Sequence, residues 1–158
     1  MNKKIHKILA CVDFSDYSPS VLEYAAALVK DSQVLVYNVI NQNEAYSIGT
    51  ASLYAPSPTL VQEDIKDMEK ERTKRLHELI TEHSPEAAPR MNIKIDVGMP
   101  SEQILKTIDA EGIDLVILAN KGRGNISRFL FGSTAEKVFR HSPVPVVSVR
   151  DRKKFKRD

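Results

Sequence analysis

Short apolar runs alternate along the chain with longer stretches in which apolar and polar residues recur at a helical period. Five runs of six to eight residues are rich in valine, isoleucine or leucine and favour buried β-strands, at residues 7–12, 33–40, 91–97, 114–119 and 144–149. Four amphipathic stretches predict helices, at residues 18–30, 59–83, 101–111 and 133–140. Residues 41–58 show neither period and contain two prolines and a glycine, so we predict a long mobile loop there.

Strands and helices in this alternating order are typical of an α/β fold, a mostly parallel sheet with helices on both faces. Such sheets bind ligands beyond the carboxyl ends of the strands, where the strand order reverses. If the first and fourth strands are neighbours, Asp13 and the loop after Ala119 face each other across that crevice. Two helix ends are also predicted: Ser18 caps the first helix, and Gly112 stops the third.

Length and composition limit the possible functions. At 158 residues, with 42% apolar and 28% charged residues, the chain is expected to form one domain over residues 1–150. The formal net charge is +2, and much of the excess lies in a basic tail at residues 151–158, which argues against a nucleic-acid-binding face on the domain itself. The sequence shows no apolar run of about 18 residues and no signal peptide. With the single cysteine, Cys11, in an apolar run, we expect a cytoplasmic protein without membrane contact.

A polar, glycine-containing segment follows the fourth strand and leads into the last helix. It begins with Asn120, Lys121, Gly122, Arg123 and Gly124 and ends with Gly132, Ser133 and Thr134, and Arg128 between them adds a further positive charge. Glycines let the backbone approach a ligand closely, and a helix start offers N–H groups, hydroxyls and the positive end of the helix dipole. The segment is therefore a candidate phosphate-binding loop, although an ordinary solvated turn has the same composition.

Asp13, at the end of the first strand, is the second candidate. Its carboxylate would read the ribose of a nucleotide held across the crevice, and Asp13 with Asp16 would help to position Mg²⁺ on the phosphates. The alternative is that Asp13 only caps the following turn, as Ser133 would only cap its helix. The four histidines are scattered, which gives little support to a Ser-His-acid relay or a histidine metal site.

The late glycine motif resembles that of the universal stress proteins, specifically the single-domain, ATP-binding branch of this UspA family. The branch is marked by Gly, two residues, Gly, nine residues, Gly, then Ser or Thr. Gly122, Gly132 and Ser133 fit this spacing, whereas Ala119 stands at the first glycine position. The added methyl costs little unless φ is positive there, where the cost is about 1 kcal/mol or more. The resemblance runs over residues 7–149.

Other landmarks of that family agree: Asp13 in the context CVDFS, Val39 at the end of the second strand, and VGMP at residues 97–100. The resemblance implies that Asp13 contacts the adenosine, that the backbone of Val39 meets the adenine, and that the late loop holds the phosphates. The implied ligand is ATP, or ADP or AMP, together with Mg²⁺. The implied binding residues are Val12, Asp13, Val39, Ala119, Asn120, Gly122, Arg123, Gly132, Ser133 and Thr134.

The resemblance also implies an architecture and a role. The family fold is Rossmann-like, of the adenine nucleotide alpha hydrolase type, with strand order 3-2-1-4-5 and four helices on the two faces of the sheet. The family pairs through its last strand, here residues 145–149, so a homodimer is expected. The implied role is that of an ATP-binding stress-response regulator that hydrolyses ATP slowly at most, with no catalytic residue assigned.

One alternative of another class stays open. The chain is then a dimeric protein-interaction module with an empty crevice, an interpretation that Ala119 and the cationic Lys121 and Arg123 permit. A phosphoacceptor domain is disfavoured, because such domains need a carboxylate after the third strand, where this chain has residues 97–99, Val-Gly-Met.

Overall fold

The chain is built around a five-stranded parallel β-sheet. A computed structural model describes residues 4–50, 58–120 and 132–150. All strand pairings are parallel, and the strand order is β3-β2-β1-β4-β5. The strands are β1 (Lys7–Cys11), β2 (Gln33–Asn41), β3 (Met91–Gly98), β4 (Leu115–Ala119) and β5 (Val146–Val149). The predicted α/β fold and its strand order 3-2-1-4-5 are confirmed.

Helices cover both faces of this sheet. In the described residues they are α1 (Ser18–Leu28), α2 (Gln42–Thr50), α3 (Pro58–His83), α4 (Pro100–Glu111) and α5 (Ser133–His141), with a 3₁₀ turn at Ala88–Arg90. The four predicted helices are confirmed, and their ends differ from the prediction by two residues or fewer. Over the same residues, no helix combines the length and the apolar character needed to cross a bilayer.

Helix α2 corrects the prediction of a loop over residues 41–58. Residues 42–50 are helical, and residues 51–57 lie outside the described residues. Helix α2 packs Ala45 into the interior and forms an ion pair with α3, in which 2.8 Å separates Glu44 Oε1 from Arg72 Nη2. A polar contact to a distant segment helps to hold this helix, and a local hydrophobic pattern does not reveal such a contact.

Two apolar cores cover the two faces of the sheet. Strand β1 sends Ile8 and Ala10 into the core beneath α1 and α3, and Leu9 into the core beneath α4 and α5. All three side chains are fully buried. Because both faces are covered, the strand appears in the sequence as an unbroken apolar run.

Two predicted helix ends have different outcomes. The prediction that Ser18 caps α1 is wrong, because Tyr17 occupies the N-cap position and Ser18 is already helical. The Ser18 hydroxyl instead donates to Asp13 Oδ1 at 3.3 Å. The predicted stop at Gly112 is confirmed: its φ of 62° lies in the left-handed region, which glycine adopts without a steric penalty.

Strand β5 lies at the edge of the sheet in the described part of the chain, with β4 as its neighbour. Val149 is buried, and the other three residues of the strand are half-buried. Strand β5 is thus an edge strand rather than an internal one among the described residues. The homodimer through residues 145–149 stays a prediction.

Candidate functional site

The carboxyl ends of β2, β1 and β4 lie side by side at one edge of the sheet. Strand β1 pairs with β2 on one side and with β4 on the other, in a register that sets Ala10 beside Val36 and beside Ile117. The predicted neighbourhood of the first and fourth strands is thus confirmed. Asp13 and Asn120, which follow β1 and β4, emerge at this common edge, where ligands bind in open α/β sheets.

Asp13 organises the turn after β1. Its Oδ1 accepts hydrogen bonds from the Ser15 amide at 3.0 Å and from the Ser18 hydroxyl at 3.3 Å. Phe14 follows with a φ of 60°, in the left-handed region that bulky residues rarely adopt. These bonds confirm that Asp13 caps the turn, whereas a role limited to capping is not tested by them and the contact with a ribose stays a prediction.

The backbone of Val12 is fixed from two sides at the end of β1. Its amide donates to the Tyr37 carbonyl at 2.8 Å, and its carbonyl accepts from Asn38 Nδ2 at 2.7 Å. Val12 and Asn38 are both buried. The carbonyl of half-buried Val39, in the same stretch of β2, receives a longer hydrogen bond of 3.4 Å from Arg72 Nη1.

Arg72 is a residue of this site that the sequence analysis missed. It reaches from α3 to the end of β2, where Nη1 donates to Asn38 Oδ1 at 2.9 Å. A signal existed in the sequence: Arg72 stands four residues from both Met68 and Leu76 and therefore occupies the apolar stripe of α3. A cation at such a position indicates a buried polar contact.

Ala119 and Asn120 begin the candidate phosphate loop. The amide of Asn120 donates to the Val149 carbonyl at 3.3 Å, and its carbonyl accepts from the Gly132 amide at 2.8 Å. A hydrogen bond thus joins the two ends of the loop, Asn120 and Gly132. Gly122 and Arg123 lie outside the described residues. Among described non-glycine residues Phe14 alone has a positive φ, so the methyl group of Ala119 causes no left-handed strain.

Helix α5 begins at Ser133, directly after the Gly132 amide that bonds to Asn120. Gly132 is its N-cap, and Ser133 and Thr134 form its first turn, exposed and half-buried respectively. Because the first amides of a helix have no intrahelical acceptors, they favour a bound anion, and the helix dipole adds to this. The three residues therefore combine backbone donors and hydroxyls at the sheet edge that carries Asp13.

Two further features near this edge are the Cys11 thiol and the potential metal-ligating side chains. Burial raises the pKa of the Cys11 thiol to about 12, and the charge of Asp13 adds to the effect, so Cys11 is no nucleophile near neutral pH. No group of three or more His, Cys, Asp or Glu side chains in the described residues could hold a metal ion.

Two surface depressions are lined by none of the ten residues that the resemblance implies for nucleotide binding. The wider one runs along α3 alone, from Lys70 to Glu82, and it is an open groove on one helix. The other, of about 370 Å³, is lined by the turn after β1 and by α3, including Phe14, Asp16 and Arg75. Neither is lined by α5 residues, so neither is assigned to phosphate.

The chain is similar in sequence to universal stress proteins. A model of the universal stress protein family matches residues 4–150. Universal stress protein MJ0577 of Methanocaldococcus jannaschii is 28% identical over 95% of this chain and 98% of its own length. Universal stress protein YxiE of Bacillus subtilis is 26% identical over 92% of this chain and 99% of its own length.

Solved structures share the fold. The structure of MJ0577 has a TM-score of 0.76 at 26% identity and covers 94% of this chain and 97% of that one. A universal stress protein in complex with cAMP has a TM-score of 0.61 at 19% identity, covering 92% and 97%. An Arabidopsis thaliana family protein with AMP bound has a TM-score of 0.54 at 19% identity, covering 97% of both chains. This chain belongs to the universal stress protein family.

Proposed function

We propose that this protein is a regulatory protein that binds an adenine nucleotide, with ATP and Mg²⁺ as its working ligand. The observation that carries the proposal is the position of the Asp13 turn beside the Asn120–Gly132 junction, at the shared edge of β1 and β4. Family members with bound AMP and cAMP support an adenine nucleotide as the class of ligand.

Different residues at this end of the sheet bind different parts of the nucleotide. Asp13 meets the ribose, and the backbone of Val12 and Val39 meets the adenosine. The phosphates lie at the start of α5, where N–H groups and the helix dipole favour negative charge. The phosphate-binding residues in this proposal are Ala119, Asn120, Gly122, Arg123, Gly132, Ser133 and Thr134.

The role that we propose is a switch in a stress response, in the cytoplasm, rather than fast catalysis. The single cysteine suits a reducing compartment. The protein acts as a homodimer that pairs through residues 145–149, and the nucleotide state changes what the dimer contacts. In this proposal the protein hydrolyses ATP slowly at most.

Isothermal titration calorimetry with Mg-ATP and with AMP tests this proposal. We expect saturable binding of both, and about fivefold weaker binding of Mg-ATP to Ser133→Ala, because one hydrogen bond to phosphate is lost. Thr81→Ala is the matched control: this exposed hydroxyl lies on α3 and bonds to the His77 carbonyl, so nucleotide affinity should not change. An absence of heat at millimolar nucleotide, with folded protein confirmed by circular dichroism, contradicts the proposal.

A further inference from the structure

Arg72 is a buried cation, and its hydrogen bonds go to Asn38, Val39 and Glu44 rather than to any described residue assigned to phosphate. Only 7% of the residue is exposed, and it projects from the apolar stripe of α3. A charge buried in this way lowers stability unless it is paired and its donors are satisfied. The hydrogen-bond partners of Arg72 therefore indicate its structural role.

The guanidinium group joins three segments of the chain. Nη2 donates to Glu44 Oε1 on α2 at 2.8 Å, and Nη1 donates to Asn38 Oδ1 on β2 at 2.9 Å. Nη1 also lies 3.4 Å from the Val39 carbonyl. The centre of the Phe14 ring, in the turn after β1, is 5.9 Å from the guanidinium carbon. Helices α2 and α3 and both candidate adenosine-binding segments thus meet at one side chain.

The contact with Asn38 fixes the orientation of a buried amide. Guanidinium is only a donor, so Asn38 must turn its oxygen toward Arg72 and its NH₂ group away from it. That NH₂ group donates to the carbonyl of Val12 at 2.7 Å. Since Asn38 is only 3% exposed, water does not readily replace either bond. The charge on α3 therefore sets the position of the backbone directly before Asp13.

We infer that Arg72 is a positioning residue of the nucleotide site, acting through Asn38 on Val12 and directly on the Val39 carbonyl. The inference rests on the proposed function, because Val12, Asp13 and Val39 are the segments assigned there to adenosine. Arg72 holds the end of β1 and the end of β2 in the conformation that receives the ligand. Glu44 holds Arg72 in turn, so α2 stabilises the same arrangement from the opposite side.

The test is calorimetric titration of AMP into the full chain and its variants, with folding checked by thermal circular dichroism. We expect Arg72→Met and Asn38→Ser each to weaken AMP binding by about tenfold, the effect of losing one buried hydrogen bond to a charged group. The double variant should bind no more weakly than either single variant, because both break the same relay.

Arg90→Met is the matched control. Arg90 carries the same guanidinium group, is exposed, and directly precedes β3, at the opposite end of the strand from the candidate site. We therefore expect wild-type AMP affinity in this variant. A purely structural Arg72 would lower the melting temperature and leave AMP affinity unchanged, which overturns the inference.

The two proposals fail in different ways. If wild-type protein binds AMP and a folded Arg72→Met binds it equally well, the inference is wrong and the proposed function stands. If Arg72→Met does not fold, the test rests on Asn38→Ser. Wild-type AMP affinity in that variant contradicts the role of the Arg72–Asn38–Val12 hydrogen bonds, and weaker binding supports it. If folded wild-type protein binds neither AMP nor Mg-ATP, both proposals are wrong.

Discussion

Phe14 has an unfavourable backbone conformation directly beside the Asp13 carboxylate. Its φ of 60° costs about 1–2 kcal/mol in a residue with a Cβ atom. The ring offsets this cost: it packs against the core beneath α1 and α3, and Arg75 lies 4.3 Å from its centre. A cation at that distance contributes about 0.5–1 kcal/mol at an exposed site. The turn that positions Asp13 therefore depends on the side chain of Phe14.

At residue 14 we expect glycine to give a more stable protein than alanine, the reverse of the usual order. We expect Phe14→Ala to lower the free energy of unfolding by about 2 kcal/mol, because the ring contacts are lost while the strained φ remains. Phe14→Gly should be about 1 kcal/mol more stable than Phe14→Ala, because glycine adopts this φ freely. Urea unfolding followed by circular dichroism measures both.

Lys74 provides the matched control for this comparison. It is an exposed residue in the middle of α3, where Lys74→Ala should be about 1 kcal/mol more stable than Lys74→Gly. If alanine is the more stable replacement at both positions, residue 14 does not hold a positive φ.

At the scale of elements, the strands were predictable because burial on both faces gives continuous apolar runs, as in β1. The meeting of Asp13 with the loop after β4 followed from parallel topology. Helix α2 was not predictable, because Glu44 is paired with a residue 28 positions away. Ser18 was mistaken for a cap because the sequence does not show that Asp13 accepts its hydroxyl.

Helix α4 is joined to the sheet by the hydroxyl group of Tyr37. This group donates to Asp96 Oδ2 on β3 at 2.7 Å and accepts from Thr107 Oγ1 on α4 at 3.0 Å. Tyr37 is only 1% exposed, and burial raises the pKa of its hydroxyl well above the usual range. The hydroxyl is therefore protonated near neutral pH, as its hydrogen bond to Asp96 requires.

Tyr37→Phe removes this connection and keeps the ring. We expect the free energy of unfolding to fall by about 2 kcal/mol, because buried Thr107 and the Asp96 carboxylate both lose their bond to the hydroxyl. Tyr24→Phe is the control: Tyr24 is 43% exposed on α1, so its change should stay within about 0.5 kcal/mol. Equal stability of the two variants, measured by urea unfolding, contradicts the role assigned to Tyr37.

At the scale of the whole molecule, Asn120 connects the edge strand β5 to the candidate site. Its amide bonds to Val149, the last residue of β5, and its carbonyl bonds to Gly132, the N-cap of α5. A second chain on β5 would therefore lie two hydrogen bonds from the start of the proposed phosphate site. This short route would connect the proposed nucleotide binding with the proposed pairing through β5.

Pairing through β5 has a specific test at Ser148. The carbonyl of Pro145 accepts a bond from Val116 of β4, and the carbonyl of Val149 accepts one from Asn120, directly after β4. The alternating geometry of a strand therefore turns the backbone N–H of Ser148 toward the open edge. Proline is tolerated where the missing N–H faces away from the sheet, but it cannot donate to an added strand. The Ser148 hydroxyl is buried without a hydrogen-bond acceptor or donor in the described residues, so its loss should cost little.

We therefore expect wild-type protein to sediment as a dimer at micromolar concentration, and Ser148→Pro to sediment as a folded monomer of 17.8 kDa. Ser148→Ala keeps the N–H group and should remain dimeric, which separates loss of the backbone donor from loss of the hydroxyl. A monomeric wild-type protein would exclude the dimer. A dimeric Ser148→Pro would instead show that the two chains meet through side chains on another surface, because no donor at residue 148 would then be required.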